Sequence, residues 1–530
     1  MKQRSGGNGA ARLLTAVVPD LPLPLNDDGI RYVSQGTVLV LGPAERIVAV
    51  AKQLARTTRV VACSSDRLPP GSARANPLFI PCRIRAVHGY LGQFRVDAED
   101  LAGNPLALAP FSPKSDGIFD LLLDLSPAPF LTAQVKAPGY FSPPPDELDD
   151  AIDEMLALKG SFRKPRFLRY DAELCTHGAQ GVSGCTRCLD VCPAQAIVST
   201  GDRIEVNAHL CHGCSSCTLV CPTGALAHAE QGPQALLKSV SEKLLPGQQR
   251  LRIHEAGELP TVEAGSACLS VPAIAAAGAE IWFSALALGF RQVSLQLPAA
   301  LAQSTREAIT GQLAEAHDLL EALGLPVERI VCMNGAAPLP MPETDAARFV
   351  RLPAYAGKRA QLLWAFAALH EGSDGPGAIA LKPGADLGSI TVDTASCTLC
   401  LACSQLCPTG ALLSLAEHED GNTRLEFIEG ACVQCGLCER ACPEQAISRQ
   451  ARFLLHPAQR HDARVLNRDQ QHHCPQCGAP FINKALLVKA TQIMRRQGGL
   501  DDAAIARLSL CPDCRLQQII PPPDQSTRSV

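Results

Sequence analysis

Aromatic side chains are scarce in this sequence, at 4% of 530 residues. So few planar rings give no platform on which nucleic-acid bases could stack. A formal net charge of −4 gives no basic footprint for a phosphate backbone either. No apolar run approaches the roughly 18 residues that a membrane span needs. Residues 1–25 carry early positive charge, but their apolar patch at 13–18 is short and is broken by Pro19 and Asp20. With neither twin arginines nor a small-residue cleavage site, no export signal is expected. Also missing are G-x-S-x-G, H-E-x-x-H and a Walker loop, so no catalytic motif stands out. Length alone predicts about three to five domains, each able to bury a core.

Cysteine, by contrast, is abundant. Sixteen of the 24 cysteines obey one grammar, C-x2-C-x2-C-x3-C-P. It occurs at Cys211, Cys214, Cys217 and Cys221, at Cys397, Cys400, Cys403 and Cys407, and at Cys432, Cys435, Cys438 and Cys442. A stretched version, with nine residues between its first two cysteines, runs through Cys175, Cys185, Cys188 and Cys192. Three thiolates at this spacing line a tight loop able to hold three corners of a [4Fe–4S] cube, while the fourth, pinned before proline, points away toward a neighbouring cluster. Disulfide or zinc cysteines would not explain the fourth Cys-Pro.

Residues 170–228 and 392–450 resemble bacterial two-cluster ferredoxins. Each Cys-Pro is followed by x-x-Ala and an aliphatic residue: Ala196 and Ile197, Ala225 and Leu226, Ala411 and Leu412, Ala446 and Ile447. Each motif pair is bridged by an expected hairpin, at 197–206 and 412–428. The resemblance implies crossed ligation. One cluster would sit on Cys175, Cys185, Cys188 and Cys221, and its neighbour on Cys211, Cys214, Cys217 and Cys192. The second module would repeat this, with Cys397, Cys400, Cys403 and Cys442 for one cube and Cys432, Cys435, Cys438 and Cys407 for the other. The Gly- and Ser-rich loop 176–184 departs from the family pattern and makes the Cys175 corner the weak one. His177, beside it, is expected to be solvated or hydrogen-bonded to cluster sulfur rather than a ligand.

The remaining chain reads as α/β and α+β, with Rossmann-like segments and a zinc-ribbon-like end. A flexible leader is expected at 1–36. A Rossmann-like α/β domain at 37–145 opens with a strand at 37–41, a helix at 44–56 and a strand at 59–63, followed by strands at 80–87 and 118–123. After Gly42 the second and third glycines of G-x-G-x-x-G are missing. Pro43 removes an amide, and Glu45 puts a carboxylate where a pyrophosphate would lie, so a docking domain without nucleotide is expected. A helix at 146–159 leads into the first ferredoxin module, 146–230. An α/β docking domain follows at 231–390, with an Ala-rich helix from Val271 to the stop at Gly289. There, Ser304-x-x-Glu307 reads as a capping box opening a helix to 323. This order resembles the small iron–sulfur delta subunit of methyl-viologen-reducing hydrogenases over about 90 residues. Where that family has further cysteines this chain has Ser and Leu, so its fold and docking role are expected without its cluster. Cys63, Cys82, Cys268 and Cys332 read as buried thiols. The second ferredoxin module spans 391–455. At 456–520, Cys474, Cys477, Cys511 and Cys514 form two Cys-Pro-x-Cys knuckles, the spacing of a four-cysteine site. The helical pattern between them favours structural zinc over a single rubredoxin-like iron, with His472 and His473 as exposed neighbours. The tail, 521–530, is expected to be disordered.

These readings predict an electron carrier with four [4Fe–4S] clusters and one zinc. A flavin- or NAD-linked oxidoreductase subunit and a maturation factor for a molybdenum enzyme are the alternatives. The layout resembles bacterial iron–sulfur proteins that accompany molybdenum-dependent formate dehydrogenases, which implies a dehydrogenase partner. Thiolates destined for iron imply a reducing cytoplasm.

Overall fold

The computed structural model describes residues 29–66, 68, 76–112, 114, 116–260, 265–333, 357–370, 377–415, 421–498 and 501–519. Most of the expected leader, part of the linker before the second module and the tail lie outside them.

The N-terminal region is built on a five-stranded parallel sheet in the order Leu78–Pro81, Val60–Ser64, Val38–Leu41, Leu121–Asp124, Tyr140–Phe141. The three central strands are buried along their whole length, as parallel strands covered on both faces must be. Helix Ala44–Leu54 covers one face through Ile47, Val50, Ala51 and Leu54, an i, i+3, i+4, i+7 stripe. Two expectations change here. The single strand at 80–87 is two, Leu78–Pro81 in this sheet and Arg83–His88 in a separate antiparallel one. Residues 30–34, assigned to the leader, form a strand that pairs antiparallel with Gly160–Lys164, the approach to the first ferredoxin module.

The middle region carries a four-stranded parallel sheet in the order Ser266–Val271, Arg250–Glu255, Gln292–Gln296, Ile330–Met333. The helix expected from Val271 does not start there. Val271 ends a strand paired to Glu255, and Pro272 and Gly278 break the Ala-rich stretch until helix Ala279–Leu288. Ser304 is not a cap either. Its helix, Gln303–Ala322, begins one residue earlier, and the Ser304 amide donates to Gln134 Oε1 from the N-terminal region at 3.0 Å. A tertiary partner has taken the role assigned to a local one. Cys63 and Cys82 are buried as expected, whereas Cys268 and Cys332 are only half-buried.

Helix Ala279–Leu288 is apolar around its circumference, with Ile281 to Leu288 buried, which requires neighbours on every side. Helix Lys358–His370 supplies one of them. Phe283, Phe366 and Phe453 form a ladder with 4.6 Å between successive ring centroids. Phe453 lies on strand Ile447–Leu454 of the second ferredoxin module. The same core takes in Leu219 from the first module. One continuous core therefore runs through the middle region and touches both modules.

Each ferredoxin module contains the expected hairpin. Ile197–Ser199 pairs with Ile204–Val206, and Leu412–Leu415 pairs with Asn422–Phe427. The second hairpin does not end at its module. Asn422–Phe427 also pairs with Arg464–His473, and that strand pairs with Pro480–Asn483, so one sheet carries the chain into the terminal four-cysteine region.

Candidate iron–sulfur and metal centres

The backbone around the cysteines follows a repeated geometry. In the three short motifs, the residues two after the first cysteine and one after the second are left-handed: Gly213 and Ser215, Leu399 and Leu401, Gln434 and Gly436. Such kinks turn a seven-residue segment into a cup. The residue three after each Cys-Pro cysteine is left-handed as well: Gln195, Gly224, Gly410 and Gln445. Proline holds the preceding cysteine extended, with φ/ψ of −67/110 at Cys192, −73/112 at Cys221 and −73/110 at Cys442. The turn that follows brings the amides of Ala196 and Ala446 to 3.3 Å from the sulfurs of Cys192 and Cys442. The alanine was visible in the sequence. The turn that aims its amide showed only as Gln or Gly at a fixed offset, a signal the sequence reading passed over.

Four small cavities result. Cys397, Cys400, Cys403 and Cys442 line one, and Cys407, Cys432, Cys435 and Cys438 another. Cys192, Cys211, Cys214 and Cys217 line a third, and Cys175, Cys185, Cys188 and Cys221 the fourth. In every case the Cys-Pro cysteine lines the cavity opposite its own triplet. Burial raises the thiol pKa to about 12 at Cys188 and Cys403 and to about 11 at Cys211 and Cys435, with crowding by neighbouring cysteines adding to it. Sulfurs packed this way are stable as thiolates only around a cation that takes the place of their protons. Thr398 Oγ1, lining the Cys397 cavity, is buried without a hydrogen-bond partner among the described residues. A sulfur-rich group would accept its proton. The donor set, the cavities and this orphaned hydroxyl fit [4Fe–4S] cubes.

The cavities also form a series. Cys217 and Cys188 lie close enough to feel each other's charge, as do Cys185 and Cys435, and Cys438 and Cys403. The Cys175 and Cys432 cavities are the inner pair. The Cys211 and Cys397 cavities are the outer ones. The contact between modules is made by the stretched loop. It folds as a small hairpin, Gly178–Ala179 against Val182–Ser183, and Arg440 of the second module donates to the carbonyls of Ser183 at 2.5 Å and Gly184 at 3.1 Å. His177 is buried, neither solvated nor aimed at sulfur. Its Nδ1 meets the Cys185 carbonyl at 2.8 Å and its Nε2 the Ser199 hydroxyl at 2.7 Å, so both nitrogens brace the loop.

The outer cavity of the first module faces the N-terminal region. Lys164 Nζ donates to the carbonyls of His209 and Cys211 at 2.7 and 2.8 Å, and Tyr32 donates to His209 O. Burial lowers Lys164 to about 8. Burial, then the Lys164 charge, pushes His212 in the cavity wall down to about 4, so its ring is neutral. The outer cavity of the second module faces the terminal region, where Asn483 donates to Leu399 O at 2.9 Å and Lys489 pairs with Glu444. Cys474, Cys477, Cys511 and Cys514 place their four sulfurs within 4.8 Å of one another, with Cys477 and Cys511 at 3.6 Å. Tetrahedral thiolates around zinc stand about 3.8 Å apart, so the set fits a single tetrahedral metal. Burial opposes ionisation of Cys474, yet the amides of Cys511, Cys477 and Gln476 bring it down to about 6. His473 is exposed as expected, but His472 is half-buried against the Ser509 carbonyl at 3.0 Å. In the N-terminal region the first helix amide, Ala44 N, is taken by the Asp66 carboxylate at 2.9 Å. Asp66 thus caps the helix.

Comparison with family models matches a 4Fe-4S dicluster domain to residues 183–226 and a 4Fe-4S binding domain to residues 390–413 and again to 425–448. The first match begins after Cys175 and most of the stretched loop. Comparison with curated proteins gives no significant match. The matched domains and the cysteine cavities define a ferredoxin-like iron–sulfur protein. Its function class is electron transfer. No helix among the described residues is long and apolar enough to cross a membrane.

Proposed function

We propose that the chain is a one-electron carrier with four [4Fe–4S] clusters in single file, each held by the triplet of one motif and the Cys-Pro cysteine of the other motif in the same module. The observation that carries this reading is the crossed lining of the cavities, with Gly184, next to Cys185, against Leu437 and Arg440 of the other module. The clusters supply single electrons at low potential. The protein's part is to hold them in series, to exclude water and to set each potential through charge and hydrogen bonds to sulfur. Electrons enter and leave at the two outer clusters, one beside the N-terminal region and one beside the terminal metal site. Cys474, Cys477, Cys511 and Cys514 hold a structural zinc that shapes the second of these ends. The partner is a cytoplasmic dehydrogenase of the formate dehydrogenase kind, as the layout suggests. The helix amide occupied by Asp66 argues against a flavin- or NAD-binding subunit.

Metal analysis of anaerobically purified full-length protein, with an EPR-monitored reductive titration, tests this. About sixteen irons and one zinc per chain, with spin coupling that spans both modules, are expected. Eight irons or fewer, or two spin systems without coupling between modules, would reject the single-file carrier.

A further inference from the structure

Helix Lys358–His370 starts with two adjacent cations that reach in different directions. Lys358 Nζ donates to the carbonyls of Thr218 and Leu219 at 2.6 and 2.7 Å, in the turn between Cys217 and Cys221. Arg359 turns to the second module. Its Nη2 donates to Cys432 O at 2.6 Å, and its Nε and Nη1 to Gly430 O and Asp386 O at 3.3 Å. Cys217 lines an outer cavity, but Cys221 and Cys432 line the two inner ones, and Gly224, three residues after Cys221, packs against the Lys358 side chain. Lys358 is only 8% exposed, and the Arg359 side chain 13%. Two stripped cations side by side are costly, and the nearby acids offset them incompletely. Glu280 lies 3.8 Å from Lys358 and Asp386 3.9 Å from Arg359, both longer than the carbonyl hydrogen bonds. The cations face the modules more closely than they face the acids.

A second feature separates the inner cavities from the outer ones. Thr223 and Thr409 place hydroxyls 3.7 and 3.6 Å from the sulfurs of Cys221 and Cys407, both inner ligands. At the outer pair, Ala194 and Glu444 stand in the equivalent places after Cys192 and Cys442. Hydrogen bonds to sulfur and local net charge are the levers that set a cluster's potential.

We propose that Lys358 and Arg359 are positioning residues for electron transfer between the modules. They hold the two inner clusters in register, and each charge stabilises the electron that its own cluster accepts. The inference rests on the four-cluster reading above. Reduction here adds one electron, supplied by dithionite in the test, and one negative charge to a cluster. No bond is made or broken.

The experiment compares wild type with Lys358→Gln, Arg359→Gln and the conservative Lys358→Arg and Arg359→Lys, all full length and anaerobic. Iron content and EPR-monitored dithionite titrations are read together. Each Gln variant should keep the wild-type iron, make one inner cluster harder to reduce and weaken the spin coupling between modules. The affected cluster in Arg359→Gln should be the one missing from Cys435→Ala. The conservative variants should restore most of the shift. If both Gln variants keep their iron and shift no cluster, or shift all four alike, the proposal fails. Should one Gln variant lose iron, the other decides alone by the same criterion. A wild type with far fewer irons would instead overturn the four-cluster reading.

Discussion

Between Cys397 and Cys400 the second ferredoxin module places two residues, whereas between Cys175 and Cys185 the first places nine. In the second module the left-handed residues Leu399 and Leu401 fold the short loop back on itself, and it closes within its own module. In the first, the extra residues leave as a hairpin and meet Arg440 and Leu437 of the other module. Gly184 sits in this contact. A Cβ there would run into the Thr176 carbonyl and lie 2.9 Å from Leu437. Viewed inside one module, the longer loop loosens a cluster corner. In the folded chain it is a bridge, and His177 stiffens it from within. A departure from a family pattern is thus as informative as a match, once the surface it faces is known.

The sharpest way to break the comparison is to remove the two fourth cysteines of the first module in turn. Cys192→Ala should damage the cluster of Cys211, Cys214 and Cys217, and Cys221→Ala that of Cys175, Cys185 and Cys188. Each should cost about four irons or leave a [3Fe–4S] signal in the oxidised protein. Added to Cys185→Ala, Cys221→Ala should cause no further loss, whereas Cys192→Ala should strike a second cluster. The opposite pattern in the EPR spectra would mean local ligation.

Next in size is loss of the terminal metal. Chelation, or Cys514→Ser, should release one zinc and expose helix Lys484–Gln497, none of whose residues is fully buried, to rapid hydrogen exchange. The three clusters distant from Leu399 should titrate unchanged. Equal disturbance of all four would show that the terminal region supports the whole chain rather than one end.

The bridge itself is tested by Gly184→Val, which should lower stability by about 2–3 kcal/mol in denaturant unfolding through steric overlap. Valine placed at exposed Gly181 would clash with nothing within 4 Å, but φ there is +79°, so Gly181→Asn is the cleaner control. A Gly184→Val protein as stable as wild type would mean that the modules are not held together at this loop.

The smallest effect concerns Glu315, in the polar cavity beside Lys358 and Arg359. Burial first, then Asp386, raises its carboxyl to about 7, with Asp318 adding to the rise and Arg187 and Lys382 opposing it. An unfolded glutamate titrates near about 4.3, so between the two values the folded state binds more protons. The stability tied to this group is whole at acid pH and is lost as pH climbs through about 7. Glu315→Gln should match wild type below about pH 4 and exceed it by about 1 kcal/mol at pH 8, allowing for partial exposure. A wild-type advantage at pH 8 would reverse the sign.

Much of the site was legible because its chemistry is local. Cysteine spacing and a following proline fix which sulfurs can share a cup, and a few left-handed residues suffice to form it. Hairpins with Gly-Asp or Gly-Asn at the tip, and strands of unbroken Val and Leu, announce themselves within a handful of residues. The misplaced elements are those where a distant partner competes with local preference. Ser266–Val271 is a strand because Arg250–Glu255 lies beside it, and Ser304 is no cap because Gln134 reaches its amide.

The sequence by itself determined the cluster chemistry and the parallel sheets, since both follow from short-range spacing. Only the tertiary structure decided that the two modules meet, through which loop they do so, and that adjacent Lys358 and Arg359 point to opposite sides. About 170 residues and a whole α/β region separate Cys221 from Cys397. Their meeting depends on a buried core in which Leu219, Phe283, Phe366 and Phe453 must be covered together. No local rule encodes that.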